Sequence, residues 1–272
     1  MSYLDVDEQA RHIVSLSGGK DSTALAVYLK NKIANLEYVF CDTGAELVET
    51  YDYLDRIESY LERKIVRLNS GKTFEEFLDK RRQFLPSPMA RWCTAEMKIK
   101  PYENHIGKDR CYSYIGIRAD ERREGYISRL PNITPVYPFK EDGINRAGVY
   151  KILEDSGLGL PKYYEWRSRS GCYFCFFQRT IEWVGLLERH PQLFAKAEEF
   201  ERQGYAGDDV KFTWVQGRTL DWIRKNKDKI KASHRKRMEK AAAMQKNTNI
   251  HDVFAEAADQ ESATKPCDIC DI

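Results

Sequence analysis

The sequence predicts an α/β protein: a parallel sheet flanked by helices, with a helical C-terminal part. Three observations carry this. Strand-like apolar runs alternate with helix-like segments through the first half, the pattern of βαβ units. A glycine pair stands between the first such strand and the first helix. Beyond residue 150 the pattern turns aromatic, basic and helical. A chain of 272 residues can bury one large core, or an α/β domain with an appendage.

Taken in order, His12–Leu16 reads as a buried strand and Thr23–Leu29 as the first turns of a helix. Leu36–Cys41 is a second strand and Leu47–Arg63 the helix after it; Lys64–Leu68 and Thr73–Arg82 repeat the pair. Cys111–Ile117 is a fourth strand, with Ile133–Phe139 as a short edge. Helical segments follow at Ile181–Arg189, Pro191–Gln203 and Leu220–Gln245. These patterns divide the chain into a nucleotide-binding α/β domain (1–160), a Cys-x-x-Cys segment with a basic helical region (161–250), and an acidic tail (251–272) expected to be mobile. Ligands on parallel sheets sit at the carboxyl ends of the strands. The loops after strands are therefore where chemistry is expected.

Hydrophobic residues make up 42% and charged residues 32%, a globular balance. No stretch approaches the roughly 20 apolar residues that span a bilayer, so no membrane partner is expected. Met1–Arg11 lacks the apolar core of an export signal, so the cytoplasm is expected. A net charge of +2 does not by itself advertise nucleic-acid binding. In a chain without such a signal, the seven cysteines read as metal or redox groups rather than a disulfide framework.

The corner Ser17-Gly18-Gly19-Lys20-Asp21-Ser22 is the most informative stretch. Two glycines let backbone N–H groups approach an anion, and the helix behind them adds about half a positive charge. Lys20 can reach phosphates, and Ser17 and Ser22 can donate hydroxyl hydrogen bonds. The candidate catalytic residues are Lys20, Asp21 and Ser22; Ser15, Ser17, Gly18 and Gly19 are candidate nucleotide-binding residues. The spacing is not that of a Walker A loop, and a corner needing glycine for geometry alone is the competing reading. After the second strand, Asp42 and Thr43 can meet a ribose or adenine edge or hold Mg²⁺, although Asp-Thr-Gly also favours a plain turn. After the fourth, Gly116, Arg118 and Arg122 can place a guanidinium on phosphate, against the alternative of a solvated charge run. Cys172-x-x-Cys175 taken alone fits a zinc half-site, a redox pair or part of an iron–sulfur site.

The Ser-Gly-Gly-x-Asp-Ser string resembles the PP-loop of the ATP pyrophosphatases. Arg91-Trp92-Cys93-Thr94-Ala95-Glu96-Met97-Lys98-Ile99-Lys100-Pro101 resembles a segment of the PAPS reductase family. Together with Gly116–Arg123 and Arg169–Cys175, these motifs place residues 10–185 in the likeness of that superfamily. The resemblance implies a Rossmann-like sheet of the adenine nucleotide alpha hydrolase type. It also implies a 4Fe–4S cluster on Cys93, Cys172 and Cys175. Trp92 stands where the fourth ligand would be, leaving an open iron, Cys111, or a tail cysteine, Cys267 or Cys270, to complete the set; zinc is the alternative metal. Cys41 and Cys111 fall in predicted strands and read as small buried hydrophobes.

The leading expectation from the resemblance is an ATP pyrophosphatase that uses ATP and Mg²⁺ to adenylate an acceptor for sulfur incorporation. The chain looks like the iron–sulfur DndC/SspD-type proteins of DNA phosphorothioation. This implies DNA or DNA-modification subunits as partners, a cysteine desulfurase as sulfur donor, and a possible homo-oligomer. Between Arg224 and Lys246 ten Lys or Arg stand against two acids; that run suits DNA backbone contact or a solvated face. The alternatives are an adenylyl-sulfate or PAPS reductase, a tRNA-thiolating ligase, and a non-catalytic nucleotide-sensing or DNA-binding subunit.

Overall fold

Parallel pairing sets the whole sheet. In the computed structural model, which describes residues 3–4, 6–122, 128–203 and 212–244, five strands lie in the order β3-β2-β1-β4-β5. They are β1 (Arg11–Leu16), β2 (Leu36–Cys41), β3 (Ile65–Leu68), β4 (Cys111–Tyr114) and β5 (Ile133–Val136). Every pair is parallel, with His12 opposite Leu36 on one side of β1 and Tyr112 on the other. The expected α/β sheet is present. The fourth and fifth strands are shorter than the sequence predicts, because pairing stops at Tyr114 and Val136 and the chain then turns toward the site.

Side-chain alternation along β1 explains the layering. Val14 and Leu16 join a core with α1 (Lys20–Leu29), α2 (Val48–Leu61) and later α7 (Arg146–Asp155). Ile13 faces the other way, into a core with Val39, Cys41, Tyr102 and Cys111. Tyr102 belongs to α5 (Lys100–Ile106), which follows α3 (Phe74–Lys80), the short α4 (Trp92–Thr94) and a π turn at Ala95–Ile99. Cys41 and Cys111 are the buried small hydrophobes expected; burial pushes their thiols up to about 11 and about 12.

After α6 (Pro138–Glu141) and α7 come a 3₁₀ turn at Lys162–Glu165, then α8 (Thr180–Arg189), α9 (Pro191–Gln203), α10 (Leu220–Lys225) and α11 (Lys227–Met244). The sequence patterns miss α5 and α7. Asn145, whose side chain accepts from Gly148 N, was the available cap signal for α7. The C-terminal helices share a third core, in which Trp183, Phe194 and Trp214 pack with Phe74, Phe77 and Met97 from the first half. That shared core fixes the Cys-x-x-Cys segment against the sheet. The acidic tail, with Cys267 and Cys270, lies outside the described residues.

Candidate nucleotide-phosphate site

The strand order places β1 beside β4 at the point where the chain's winding reverses, which is where α/β sheets open a ligand crevice. The Ser17–Gly19 corner sits there, between β1 and α1. Gly18 is left-handed at φ +71°, and a Cβ on it would meet Thr50 Cγ2 at 2.7 Å. A Cβ on Gly19 would meet Ser170 Oγ at 2.9 Å. Glycine is thus demanded at Gly18 by its left-handed conformation, while a Cβ at Gly19 would displace the Ser170 hydroxyl.

Hydrogen bonds hold the corner from several elements. Ser17 N donates to Ser22 Oγ at 3.1 Å, and the two hydroxyls are 3.1 Å apart. Ser170 Oγ donates to Ser17 Oγ at 3.2 Å, and Tyr163 OH donates to Gly18 O at 2.6 Å. Lys20 N donates to Tyr164 OH at 3.2 Å. Ser15 is buried within β1 on the Ile13 face, beneath the corner. Ser170, Tyr163, Tyr164 and Thr50 were not singled out from sequence. The Tyr-Tyr-Glu-Trp-Arg-Ser-Arg-Ser-Gly run was the signal for three of them.

A charged chain lies behind the corner. Lys20 Nζ donates to Asp21 at 2.6 Å, and Arg118 donates to the other Asp21 oxygen at 3.0 Å. Arg118 also pairs with Asp120 at 3.0 Å and Glu121 at 2.9 Å. Burial alone would favour the neutral forms, but the mutual charges outweigh it. Asp21 is held below the ordinary carboxylate range by Lys20 and Arg118, and both cations are raised, chiefly by Asp21. All three are charged at neutral pH. Arg118 therefore anchors Asp21. Gly116 serves packing: a Cβ there would lie 2.9 Å from Asp21 O and 3.2 Å from Ser22 N, so its bareness lets β4's loop touch the first turn of α1. Arg122 is exposed.

The Asp42 loop is a turn. Asp42 accepts from Gly44 N and Tyr51 OH, each at 2.8 Å, the Asx geometry that Asp favours. Thr43 Oγ1 donates to Glu46 Oε1 at 2.9 Å and lies 3.1 Å from Cys172 Sγ. Neither points to an open ribose contact. Both instead knit the β2 loop to the Cys-x-x-Cys segment, where Tyr173 N also donates to Ala45 O at 2.8 Å.

The cysteine segment is braced from beneath. Buried Arg167 donates to Gly171 O and Cys172 O, both at 2.8 Å. Fully buried Glu182 accepts from Ser168 N, Ser168 Oγ and the Arg179 side chain. Burial, and then the nearby Glu46 carboxylate, push the Cys172 thiol up, so it is a thiol rather than a thiolate at neutral pH. Cys93 and Cys172 border the same core, and Cys175 N donates to Cys172 O at 3.0 Å. Even so, among the described residues no group of three or more His, Cys, Asp or Glu side chains is arranged to hold a metal. Cys93, Cys172 and Cys175 are therefore not drawn together around a single metal ion such as zinc. The Cys172 sulfur is turned to Thr43 and Glu46 instead. No helix among the described residues is long and apolar enough to cross a membrane.

A parallel sheet whose central strand runs into a glycine corner, with a buried lysine at the helix start, gives this α/β fold a crevice suited to an anion. Residues 11–132 match the model of the phosphoadenosine phosphosulfate reductase domain. The uncharacterized protein MJ0973 of Methanocaldococcus jannaschii is 29% identical over 213 residues, covering 72% of this chain and 49% of that protein. A second protein from that organism, MJ0066, is 27% identical over 228 residues, 78% of this chain and 46% of its own length. The chain thus spans about half the length of these curated relatives. Among solved structures, the phosphoadenylyl-sulfate reductase of Candida auris in its phosphate complex aligns with TM-score 0.47 and 13% identity, covering 62% of this chain and 89% of that one. The U34-tRNA thiolase NcsA of Methanococcus maripaludis with its 4Fe–4S cluster aligns at 0.42 and 17%, covering 82% and 84%.

Proposed function

We propose that this chain is an ATP pyrophosphatase that adenylates an acceptor oxygen and so primes it for replacement by sulfur, the acceptor being a phosphate of DNA. The observation that carries the reading is the corner itself: Gly18 in a left-handed turn and Gly19 against the Ser170 hydroxyl, with Lys20 buried at the start of α1 and held charged by Asp21. A lysine so placed stabilises charge that develops on a leaving pyrophosphate. In the reaction, the acceptor oxygen attacks the α-phosphorus and the bond to the bridging α–β oxygen breaks. Pyrophosphate departs with that electron pair, and the adenylyl group remains on the acceptor.

The residues of this chain bind and orient. The α1 N-terminus and the corner amides receive the phosphates, Lys20 takes the charge of the departing pair, and Ser17, Ser22 and Ser170 supply hydroxyls around it. Mg²⁺ would arrive on the triphosphate, as that ion commonly does, and supply charge neutralisation there. A cysteine desulfurase is the proposed sulfur source, working in the cytoplasm, with DNA-modification subunits as partners and self-association of the chain as a further proposal.

The test is release of AMP and pyrophosphate from α-labelled ATP with Mg²⁺ and DNA. Lys20→Ala should slow it by roughly 10²–10³-fold. The reductase-domain match over residues 11–132 favours a second reading, reduction of adenylyl sulfate or its 3′-phosphate. Sulfite formed from those substrates with a dithiol protein, and no pyrophosphate from ATP, would overturn the first reading in its favour.

A further inference from the structure

A groove of about 500 Å³ opens on the far side of the Cys-x-x-Cys loop, between residues 176–181 and the helices α10 and α11. That size lies within the range of ligand clefts, roughly 300–1,000 Å³. Its charge is one-sided. Arg169, Arg179, Arg218, Lys229 and Arg237 line it, and none of the described lining residues is acidic. Arg179 is offset from behind by the carboxylate of Glu182. The walls are also aromatic. Phe177 lies under the guanidinium groups of Arg91 and Arg169, at 5.2 and 5.3 Å, and Trp222 under that of Arg218 at 4.8 Å.

The helical face is ordered: Asn226, Lys229, Ser233 and Arg237 follow the three- and four-residue spacing that puts side chains on one stripe. The other wall holds a residue next in sequence to one that contacts the glycine corner. Arg169 lines the groove, and its neighbour Ser170 donates to Ser17 Oγ.

We propose that this groove binds a nucleic-acid strand, with phosphates on Arg169, Lys229 and Arg237 and a base against Trp222. It is the acceptor channel of the reading above and rests on it. Cations interleaved with aromatic faces serve both parts of a nucleotide, the phosphate and the ring. The single-residue step from Arg169 to Ser170 brings a bound strand up to the triphosphate.

The experiment measures fluorescence anisotropy of short labelled oligonucleotides on the full chain without ATP, using single-stranded DNA, duplex DNA and RNA of one sequence over a salt series. The paired reversal Lys229→Glu/Arg237→Glu should weaken binding at least about tenfold and lower the salt slope by about two. Trp222→Ala should weaken single-strand binding roughly 5- to 100-fold. Lys227→Glu/Arg235→Glu makes the same charge change on the opposite side of α11, about 160° and 240° from Lys229, and should cost less than threefold.

Equal losses from the two reversed pairs would show a diffuse field and overturn the groove, as would binding of none of the three probes. Tighter binding of DNA than of RNA supports the groove as the DNA acceptor channel, and tighter binding of RNA would overturn that assignment. An acidic peptide displacing the strand at equal concentration would assign the groove to a protein partner instead. Strand binding that depends on the groove, with no pyrophosphate ever released from ATP, would leave this inference standing and bring down the adenylation.

Discussion

Neutralising Asp21 should cost stability and at the same time sharpen the site's hold on phosphate. Its carboxylate lies 2.6 Å from Lys20 Nζ and 3.0 Å from Arg118. At an effective dielectric of 20 these pairs are worth about 6 kcal/mol each before the cost of burying the charges. Breaking such a pair by removing one partner leaves a net loss of about 3–5 kcal/mol. Arg118 keeps Asp120 and Glu121, so the unmatched charge falls on Lys20 and the lower end, about 3 kcal/mol, is expected for Asp21→Asn. Urea unfolding near neutral pH measures it.

The unmatched lysine then looks for an anion. Inorganic tripolyphosphate should bind the variant about tenfold more tightly than the parent protein, and its stabilisation of the fold should be correspondingly larger. Calorimetric titration against both proteins gives the two constants. A stability loss below about 1 kcal/mol, or equal or weaker tripolyphosphate binding, would show that Asp21 aligns Lys20 rather than masking it, and would refute the charge argument.

Gly116→Ala should destabilise by roughly 1–3 kcal/mol and weaken nucleotide binding, because the new Cβ would press on Asp21 O at 2.9 Å; thermal melts with and without nucleotide check both effects. Glu182→Gln should cost about 3 kcal/mol, since the Arg179 guanidinium would lose its buried carboxylate partner and an amide nitrogen would face the Arg179 backbone N–H. Faster amide exchange confined to residues 168–179 would locate that loss. Burial raises the Glu201 carboxyl to about 7, while its oxygens accept from Trp214 N and Leu220 N. The folded chain therefore holds a proton that the unfolded chain releases near pH 4.5. Stability from this group is full below that pH and falls by as much as about 3 kcal/mol as pH rises to 7. Unfolding measured across that window should show the decline, and Glu201→Gln should flatten it.

Local order was legible in the sequence where one segment carries its own signal. The five apolar runs became the five strands, Thr73 with Glu76 closed the capping box of α3, and Gly18 announced a left-handed corner. Short-range patterns of this kind follow from backbone geometry and period alone. What depends on residues far apart in the chain had no such signature. Arg118 pairs with Asp21 across 97 positions, so the guanidinium reads from sequence as a phosphate grip and turns out to anchor a carboxylate. Asp42 and Thr43 close a turn and brace Cys172. Cys93, Cys172 and Cys175, which the family resemblance offered as shared ligands, form no group of three metal-ion ligands among the described residues.

The sequence by itself thus determined the α/β alternation and the glycine corner, because each is written in a contiguous stretch a few residues long. Tertiary structure alone decided how Ser170, Tyr163 and Tyr164 close over that corner, how the charges behind it are shared, and where a basic groove lies beside it. Contacts of that kind are chosen by packing between elements that chain order keeps apart, and burial then settles which charges survive.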